Sequence, residues 1–416
     1  MRVPEGFTSV KLGDISEKIT SGSRDWAQYY SNSGSKFIRM TNLNRDGIDL
    51  LLDDMKYVSV MSESVDGNRT ALQSGDVLLS ITAELGKIGY IPDDFGDAYI
   101  NQHTALVRVN SLQADSKFIA YLLSSERLNK LIRSLNDAGA KAGLNLPTIK
   151  LIPISLPSLP EQQKIAQILS TWDKAITTTE QLLANSQHQK KALMQQLLTG
   201  KKRLLDEDGV RFGEGWKEGN LGGITNIDSG YAFKSVDFTD SEAGVPIIRM
   251  SDFKTGGIDI SGAAKIKMEA TKGLDKFKLR AGDFVFGMSG SLSNYGWVKE
   301  QDLPCFLNQR VGRILVKEYS VQLFVTYLYL SDKIQQSILD KAAGAAQLNI
   351  SVSDLRNTIV QYPNFEEQQK IAIVLSTADR EIELLRTKLE ALKQEKKALM
   401  QQLLTGKRRV KILEVG

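Results

Sequence analysis

A segment that occurs twice places the strongest limit on how this chain can fold. Residues 161–166 and 367–372 both read EQQKIA, and residues 190–201 and 396–407 both read KKALMQQLLTGK. The same 206 residues separate the two copies of each motif, so the segments between the motifs have equal length. Such spacing is the signature of a tandem duplication. It predicts two copies of one structural unit within the 416 residues.

The repeated segment has the pattern of a long helix with an apolar seam. In the second copy, apolar residues alternate at spacings of four and three, the heptad pattern of a coiled coil: Ile371, Leu375, Ala378, Ile382, Leu385, Leu389 and Leu392. The first copy keeps this frame but places Thr179, Ser186 and Lys190 on the seam, so its middle is the weaker part. The first copy begins near Pro160 and ends at Gly200, and the second begins near Pro363 and ends at Gly406. Proline suits the start of a helix, and glycine suits its end. An ordinary amphipathic core helix is the alternative, but the length and the heptad phase recur together.

The composition is that of an ordinary globular protein, with 42% hydrophobic and 25% charged residues. A net charge of +4 and a pI of about 8.8 permit a nucleic-acid partner without requiring one. Cys305 is the only cysteine, so no disulfide can form within the chain, which fits a reducing cytoplasm. No apolar run approaches the roughly 18 residues of a membrane-spanning helix. We therefore expect a cytoplasmic protein without a membrane partner.

Each long helix follows a globular block that mixes short strands with helices. Alternating and Gly-punctuated runs predict strands at Lys36–Met40, at two places within Leu72–Ile91 and at Asn101–Val109, and the 3.6 period predicts a helix at Lys117–Leu135. The second block repeats scaffold residues of the first: Leu279, Gly282 and Asp283 correspond to Leu72, Gly75 and Asp76. The fold class is therefore α+β, in four parts: first block 1–155, first helix 156–203, second block 204–362, and second helix with a basic tail 363–416.

The two halves of each repeat have diverged to different degrees. The helices are nearly identical between the copies, whereas the blocks share only scaffold residues. The simplest interpretation is that the helices meet the same partner twice and that the blocks meet two different partners. Gene conversion confined to the helices would produce the same pattern and is the alternative.

No combination of residues indicates catalysis. The chain has two histidines, His103 and His188, and one cysteine, too few for a zinc site of the usual spacing. It lacks the phosphate-binding patterns GxxxxGK[ST] and GxGxxG, and it lacks the Asn/Asp-Pro-Pro-aromatic motif of adenine methyltransferases. These absences favour a binding protein.

Hydrogen-bonding and cationic side chains in Gly-rich loops are the candidates for binding. Arg, Asn and Gln pair with base edges in the major groove of DNA, and Lys and Ser suit phosphates. The first-block candidates are Arg24, Arg39, Asn42, Lys87, Gln102, His103 and Lys141, and the second-block candidates are Lys234, Arg249, Ser291, Asn294, Tyr295, Gln309, Arg310 and Gln347. For each one a solvated or structural role is the alternative, at a strand end in the case of His103. The basic helix ends, residues 201–203 and 407–409, suit either phosphate or the helix dipole.

The chain resembles the specificity subunits of type I restriction-modification systems. The resemblance rests on the duplicated EQQKIA and KKALMQQLLTGK helices, on the block openings and on residues 229–235, SGYAFKS. The first block opens with Gly6-Phe7 and Leu12-Gly13-Asp14-Ile15, and the second echoes it with Gly215-Trp216 and Leu221-Gly222. The second opening departs from the first at Gly223, which stands where the first has Asp14.

This resemblance implies two target recognition domains, spaced by long helices that form an antiparallel coiled coil with a pseudo-two-fold internal repeat. It implies a subunit that catalyses nothing and reads a bipartite, asymmetric site in double-stranded DNA. Its partners would be two methyltransferase subunits, which carry S-adenosylmethionine and methylate adenine N6. The complex can also recruit two nuclease subunits, which use ATP and magnesium, and whether a nuclease accompanies this chain stays open. The chain itself would bind no cofactor and would serve phage defence. A non-DNA coiled-coil scaffold with two adaptor domains is the alternative, and the recognised bases and the spacer length stay open.

Overall fold

The computed structural model describes residues 3–24, 26–59, 65–135, 143–254, 257–342 and 348–412. The chain forms two compact units, of which unit 1 comprises Met1–Glu180 and Thr387–Gly416 and unit 2 comprises Gln181–Arg386. Each unit contains one globular block and a part of each long helix. The duplicated sequence is therefore a duplicated structure.

The two long helices span Leu159–Leu197 and Phe365–Leu403, with 39 residues each. The predicted pair of uninterrupted helices is confirmed. Each helix ends three residues before the glycine that was expected to stop it, Gly200 or Gly406. Both glycines have a φ of +68°, a left-handed conformation that turns the chain away from the helix axis.

In unit 1 the two helical segments run antiparallel. The Lys396 ammonium of the second helix is paired with the Asp173 carboxylate of the first. One heptad further along the first helix, Glu180 lies 2.9 Å from Lys393, which precedes Lys396 in the second helix. Because the residue number rises on one helix while it falls on the other, the segments point in opposite directions.

Unit 2 shows the same arrangement with the roles of the helices exchanged. Lys190 Nζ lies 2.5 Å from the Asp379 carboxylate, and the Ser186 hydroxyl donates to Glu381 at 3.0 Å. Ser186 and Lys190 are two of the three polar residues that the heptad frame places on the seam. Both have a partner on the facing helix, so this part of the seam, which was expected to be weak, holds specific polar contacts.

The first block contains two four-stranded sheets and a two-stranded pair. The antiparallel sheet has the spatial order Ser16–Ser21, Thr104–Val109, Val77–Ser80, Ile88–Tyr90. The other has the order Tyr30–Ser31, Lys56–Val58, Ser35–Ile38, Ala98–Ile100, with its last two strands parallel. Thr8–Lys11 pairs with Pro153–Leu156 and joins the two ends of the block. The strands predicted around Phe37, on either side of Gly86 and around Leu106 are all present.

The second block repeats this topology. Its antiparallel sheet has the order Thr225–Ser229, Val311–Val316, Phe284–Gly287, Tyr295–Trp297. Its other sheet has the order Phe238–Thr239, Lys265–Ile266, Val245–Ile248, Phe306–Leu307, again with the last two strands parallel. Two strand pairs complete the block: Lys217–Asn220 with Ile359–Tyr362, and Phe253–Lys254 with Gly257–Ile258.

Short helices connect the strands of both blocks. The first block has α-helices Val65–Thr70, Ser116–Ser124, Glu126–Ser134 and Leu146–Lys150 and 3-10 turns Leu12–Ile15, Trp26–Tyr29 and Met40–Asn42. The second has α-helices Leu221–Ile224, Gln322–Tyr329, Asp332–Ala342 and Val352–Arg356 and 3-10 turns Ser235–Asp237, Met250–Asp252, Met268–Thr271, Asp275–Phe277 and Glu300–Asp302. One continuous helix over Lys117–Leu135 was a wrong prediction. Ser125 interrupts it with a ψ of 143° and caps the following helix, since its hydroxyl accepts from the Leu128 N–H.

The hydrophobic core of each unit includes residues of both long helices. In unit 1, Leu169 of the first helix and Leu403 of the second are buried with the helix and sheet residues of the first block. In unit 2, Leu375 of the second helix and Leu197 of the first take the equivalent places. Burying one such side chain contributes about 2 kcal/mol, so the helical segments hold their block by packing.

Cys305 lies buried in the core of the second block. Burial, followed by the charges of Asp302 and Asp283, raises the pKa of its thiol to about 12. We expect no reaction with a disulfide reagent such as DTNB in the folded protein at pH 8, because the thiolate is the reacting form. One thiol should titrate after unfolding in guanidinium. Complete titration of the folded protein within minutes would contradict this environment.

Candidate nucleic-acid interface

Three segments of the first block are hydrogen-bonded into one group of loops, residues 80–87, 101–103 and 143–145, here called the first loop cluster. The Ile81 N–H donates to the His103 carbonyl at 3.0 Å, and the Leu144 N–H donates to the Ile81 carbonyl at 2.9 Å. Thr82 and Gly143 add an antiparallel bridge. Residues from three distant parts of the block therefore meet in one place.

The second block builds the same cluster from residues 287–295, 308–310 and 348–351, here called the second loop cluster. The Met288 N–H donates to the Arg310 carbonyl at 3.0 Å, and the Ile350 N–H donates to the Met288 carbonyl at 3.0 Å. The bridge between Ser289 and Asn349 corresponds to that between Thr82 and Gly143. Ala83 and Gly290 follow the first bridge residues with φ of +56° and +69°, so the backbone turns alike in both clusters.

An asparagine shapes the turn that carries the central candidates in each cluster. Asn101 Oδ1 accepts from the His103 N–H at 3.2 Å, and Asn308 Oδ1 accepts from the Arg310 N–H at 3.3 Å. This is an Asx turn, in which the side chain replaces a backbone acceptor two residues before the donor. It carries Gln102 and His103 in one block and Gln309 and Arg310 in the other.

The side chains on these turns differ between the blocks. In the first cluster Gln102 and His103 are partly buried and bonded to each other, with Nε2 atoms 3.1 Å apart. His103 Nδ1 also lies 2.7 Å from the Thr82 hydroxyl. Gln309 and Arg310 of the second cluster are exposed. One scaffold therefore presents two different hydrogen-bonding surfaces.

The remaining candidates in the clusters have polar or charged neighbours. Lys87 lies 2.6 Å from Glu84, and its hydrogen bond, followed by its charge, lowers the pKa of Glu84. The Ser291 hydroxyl donates to Asn294 Oδ1 at 3.1 Å. Burial, followed by the charge of Asp379, raises the pKa of Tyr295, so its hydroxyl keeps its proton at neutral pH.

Arg24 and Lys234 are exposed near the Asx turns. Ser23, directly before Arg24, bridges Asn101, and Tyr231, three residues before Lys234, bridges Asn308. The preceding residues, Gly22 and Gly230, approach the next strand so closely that an added Cβ would lie 2.1 Å from a carbonyl oxygen. Glycine is therefore required for this approach in both blocks.

Arg39 and Asn42 have partners in a structural turn of the first block. Arg39 Nη2 donates to the Asp54 carboxylate at 2.8 Å, and the Arg39 N–H donates to Asn42 Oδ1 at 3.0 Å. Asn42 is buried and closes the 3-10 turn Met40–Asn42. These contacts favour a role in shaping the backbone for both residues.

Arg249 repeats this arrangement in the second block. Its N–H donates to the buried Asp252 carboxylate at 2.8 Å, and its Nε lies 3.9 Å from the same carboxylate. The same structural role is favoured here. Lys141 and Gln347, the last two candidates, lie outside the described residues.

Sequence reasoning missed two arginines in the first block. Arg45 Nη1 donates to the Leu85 carbonyl of the first loop cluster at 2.7 Å. Arg69 donates to the Ser21 carbonyl at 2.7 Å and to the Ser23 hydroxyl at 2.5 Å, at the approach to the Asx turn. A turn-forming Asn-Leu-Asn before Arg45 was an available signal, whereas nothing local marks Arg69.

The basic helix ends divide into exposed and paired residues. Arg203 Nε and Nη2 donate to both oxygens of Glu367 at 2.7 and 2.8 Å, and Arg409 makes the same pair with Glu161 at 2.8 and 2.6 Å. The hydrogen bond from Arg409 lowers the pKa of Glu161. The other basic residues of these ends are exposed: Lys201, Lys202, Lys407 and Arg408.

Among the described residues, no group of three or more His, Cys, Asp or Glu side chains could hold a metal ion. In the same part of the chain, no helix has the length and apolar character needed to cross a membrane. The geometry is therefore that of two related polar loop surfaces, each attached to a segment of paired long helices.

Comparison with known families accounts for the duplication. The type I restriction modification DNA specificity domain matches the chain twice, at residues 4–185 and 213–394. The chain belongs to this family. As a specificity subunit it has two target recognition domains, one in each block, and the resemblance inferred from the duplicated motifs is confirmed.

Relatives and solved structures agree with this membership. The specificity subunit of the type I restriction enzyme MjaVIII from Methanocaldococcus jannaschii is 27% identical over 99% of this chain and 95% of its own length. A type I restriction-modification S subunit structure from M. genitalium covers 97% of this chain and 98% of its own, with a TM-score of 0.61 and 15% identity. A structure described as showing complex assembly and conformational transition of the type I R-M system has a TM-score of 0.57 and 18% identity, covering 98% of this chain and 100% of its own. At such identities the structural likeness concerns the fold.

Proposed function

We propose that this specificity subunit reads a bipartite, asymmetric site in double-stranded DNA, one half-site with each recognition domain. The domains would be residues 1–155 and 204–362, and the helices 156–203 and 363–416 would form the coiled coil that spaces them. The observation that carries the proposal is the pair of loop clusters. They share one backbone scaffold but present Gln102-His103 in one block and Gln309-Arg310 in the other.

The chemistry of these side chains suits base edges. Arginine pairs bidentately with guanine O6 and N7, and glutamine with adenine N6 and N7, each worth about 1–3 kcal/mol of discrimination. Equivalent backbone positions with different side chains would read different bases, which makes the target asymmetric. The exposed Arg24 and Lys234 suit phosphates, contacts that would orient each block on the DNA.

The helices would dock the catalytic partners. Because they are nearly identical in sequence, they offer the same surface twice, which suits two copies of a methyltransferase subunit. These subunits would supply S-adenosylmethionine and methylate adenine N6, and nuclease subunits with ATP and magnesium would add cleavage. In this division the chain supplies recognition, binds no cofactor itself and acts in the cytoplasm.

Modified-base sequencing of the adenine methylome tests the proposal. A host that expresses a compatible methyltransferase subunit is sequenced with and without this gene. We expect one split, asymmetric motif whose N6-methylation depends on the gene. Absence of such a motif, together with no salt-dependent binding of the assembled complex to duplex DNA, would favour the non-DNA scaffold.

Substitutions of the turn residues in the two blocks should affect different half-sites. We expect Arg310→Ala to relax or lose one base preference in one half-site, since about 1–3 kcal/mol of discrimination disappears. His103→Ala should act on the other half-site. Lys272→Ala, an exposed lysine outside the second loop cluster, is the control and should leave the motif intact. An Arg310→Ala motif identical to that of the wild type at every position would exclude Arg310 from base reading.

A further inference from the structure

A tyrosine, an aspartate and a lysine from three different helices meet in unit 1. The Tyr121 hydroxyl, on helix Ser116–Ser124 of the recognition block, donates to Asp173 Oδ2 at 2.5 Å. The other oxygen of Asp173 accepts from Lys396 Nζ. The ammonium also lies 5.6 Å from the centre of the Tyr121 ring. Each of the three residues therefore contacts both of the others.

Unit 2 contains the same triad at equivalent positions. The Tyr327 hydroxyl donates to Asp379 Oδ2 at 2.6 Å, and Lys190 Nζ donates to Asp379 Oδ1 at 2.5 Å. Lys190 Nζ lies 5.4 Å from the centre of the Tyr327 ring. All three residues are shifted by the same 206 positions from their counterparts, although the blocks have otherwise diverged.

The position of the lysines makes the triads more than incidental ion pairs. Lys190 and Lys396 occupy seam positions in the heptad frame, where an apolar residue would pack better. Lys396 is almost completely buried, and burying a charge costs free energy even when it is paired. A polar residue on a seam can instead specify register, because its partner is available in one alignment only.

Apolar heptads alone discriminate poorly between alignments. Sliding one helix along the other by seven residues, about 10 Å, again places apolar residues opposite apolar residues. Such a slip would separate Lys396 from Asp173, so the buried ammonium would lose the carboxylate that it pairs with in this alignment. Because Tyr121 bonds the same carboxylate, it ties the seating of the recognition block to the alignment of the helices.

We infer that the two Tyr–Asp–Lys triads are register locks that align the paired helical segments in each unit and seat the recognition block on them, so that the specificity subunit accepts one spacer length. This inference rests on the proposed function. Tyr121, Asp173 and Lys396 act as positioning residues and touch no base in this scheme. Half-site bases and spacer length are then controlled by different residues.

Replacing the whole triad distinguishes an effect on helix register from an effect on stability. Lys396→Met alone should lower the unfolding temperature, because it leaves the Asp173 carboxylate without its cation. The triple variant Tyr121→Phe, Asp173→Leu, Lys396→Met removes all the polar groups together and should recover or exceed wild-type stability. The control is Glu180→Leu with Lys393→Met, a pair in the same unit whose side chains are both 46% exposed.

The adenine methylome of cells with each variant, together with the methyltransferase subunit, is the functional readout. For the triple variant we expect the same half-site bases with additional spacer lengths and a several-fold loss at the native spacer. Wild-type and control proteins should methylate a single spacer. A triple variant that is as stable as the wild type and uses the native spacer alone would overturn the inference.

The equivalent variant in unit 2 protects the test against misfolding. Tyr327→Phe, Asp379→Leu, Lys190→Met alters a triad whose aspartate side chain is 43% exposed, compared with 15% for Asp173. Replacing these residues should therefore disturb the hydrophobic core of unit 2 less than the first variant disturbs that of unit 1. The same broadening of spacer length is expected, and its absence in a folded variant would count against the lock.

A distance measurement tests the lock without DNA. Thr178 and Gln394 are exposed positions on the two helical segments of unit 1. Spin labels on cysteines introduced there report the alignment of the segments, once Cys305→Ala has removed the native thiol. We expect one distance in the wild-type background and a second population, shifted by about one heptad, in the triple variant. One unchanged distance in both proteins would overturn the inference. If the wild type methylates no split motif but the triple variant shows this second population, the proposed function is refuted while the lock is supported.

Discussion

Deleting one heptad from both long helices, residues 182–188 and 381–387, should end methylation of the native split target. Each helix then loses about 10 Å, which corresponds to roughly three base pairs of DNA. Three base pairs also amount to about 100° of helical twist, so the native half-sites would have to be brought together by deforming the DNA, at about 1–6 kcal/mol. We expect either a motif with a shorter spacer or no methylation. Methylome sequencing distinguishes these results.

The deleted segments were chosen to preserve the pairing within each unit. Both Tyr–Asp–Lys triads remain, and the hydrogen-bonded Ser186 and Glu381 are removed together. Deleting residues 182–188 alone is the control: it moves Lys190 by about 10 Å along the helix, away from Asp379, and should destabilise unit 2. A double deletion that still methylates the native motif would contradict a spacing role for the helices.

Arg203→Met should be the most damaging substitution of a basic residue at either helix end. Glu367 has 0% of its side chain exposed and receives two hydrogen bonds from the Arg203 guanidinium. Removing the arginine leaves a buried carboxylate without a cation, which costs about 3–5 kcal/mol of unfolding free energy. Denaturant unfolding of the full-length protein, followed by circular dichroism, measures this loss.

Two further substitutions provide comparisons for Arg203→Met. Arg409→Met breaks the equivalent pair with Glu161, but Arg409 is 46% exposed, so a smaller loss is expected. Lys202→Met changes an exposed neighbour of Arg203 and should alter the unfolding free energy by less than about 0.5 kcal/mol. If Arg203→Met were no more destabilising than Lys202→Met, the pair with Glu367 would not hold the helix end.

The long helices were the most predictable part of the fold because a heptad pattern is local. Their register was not, since the frame places Lys190 and Lys396 on the seam without indicating what faces them. Asp379 and Asp173 become their partners only when the second helix folds back antiparallel. The break at Ser125 was missed for a related reason. The apolar period continues through Ser125, and the capping hydrogen bond from the Leu128 N–H to its hydroxyl is what starts a new helix there.

The candidate site was predictable in its turns and much less so in its individual residues. Asn-Gln recurs in both blocks, and the structure explains it, since Asn101 and Asn308 shape equivalent Asx turns. Arg39 resembled a base-reading residue in sequence, but its partner Asp54 is a carboxylate of the same block. Residue type alone cannot distinguish an arginine that holds a turn from one that faces DNA.

The division of the chain into units has a consequence for its synthesis. Unit 2 is one continuous stretch, Gln181–Arg386, whereas the core of unit 1 needs Leu403 and Leu404 from the end of the second helix. Ribosomes add about 5–20 residues per second, so the 206 residues of unit 2 take roughly 10–40 s to emerge. The block made first therefore waits on the ribosome without these two core leucines, and the block made second completes its core earlier. Chaperone dependence during translation should accordingly concentrate on the N-terminal block.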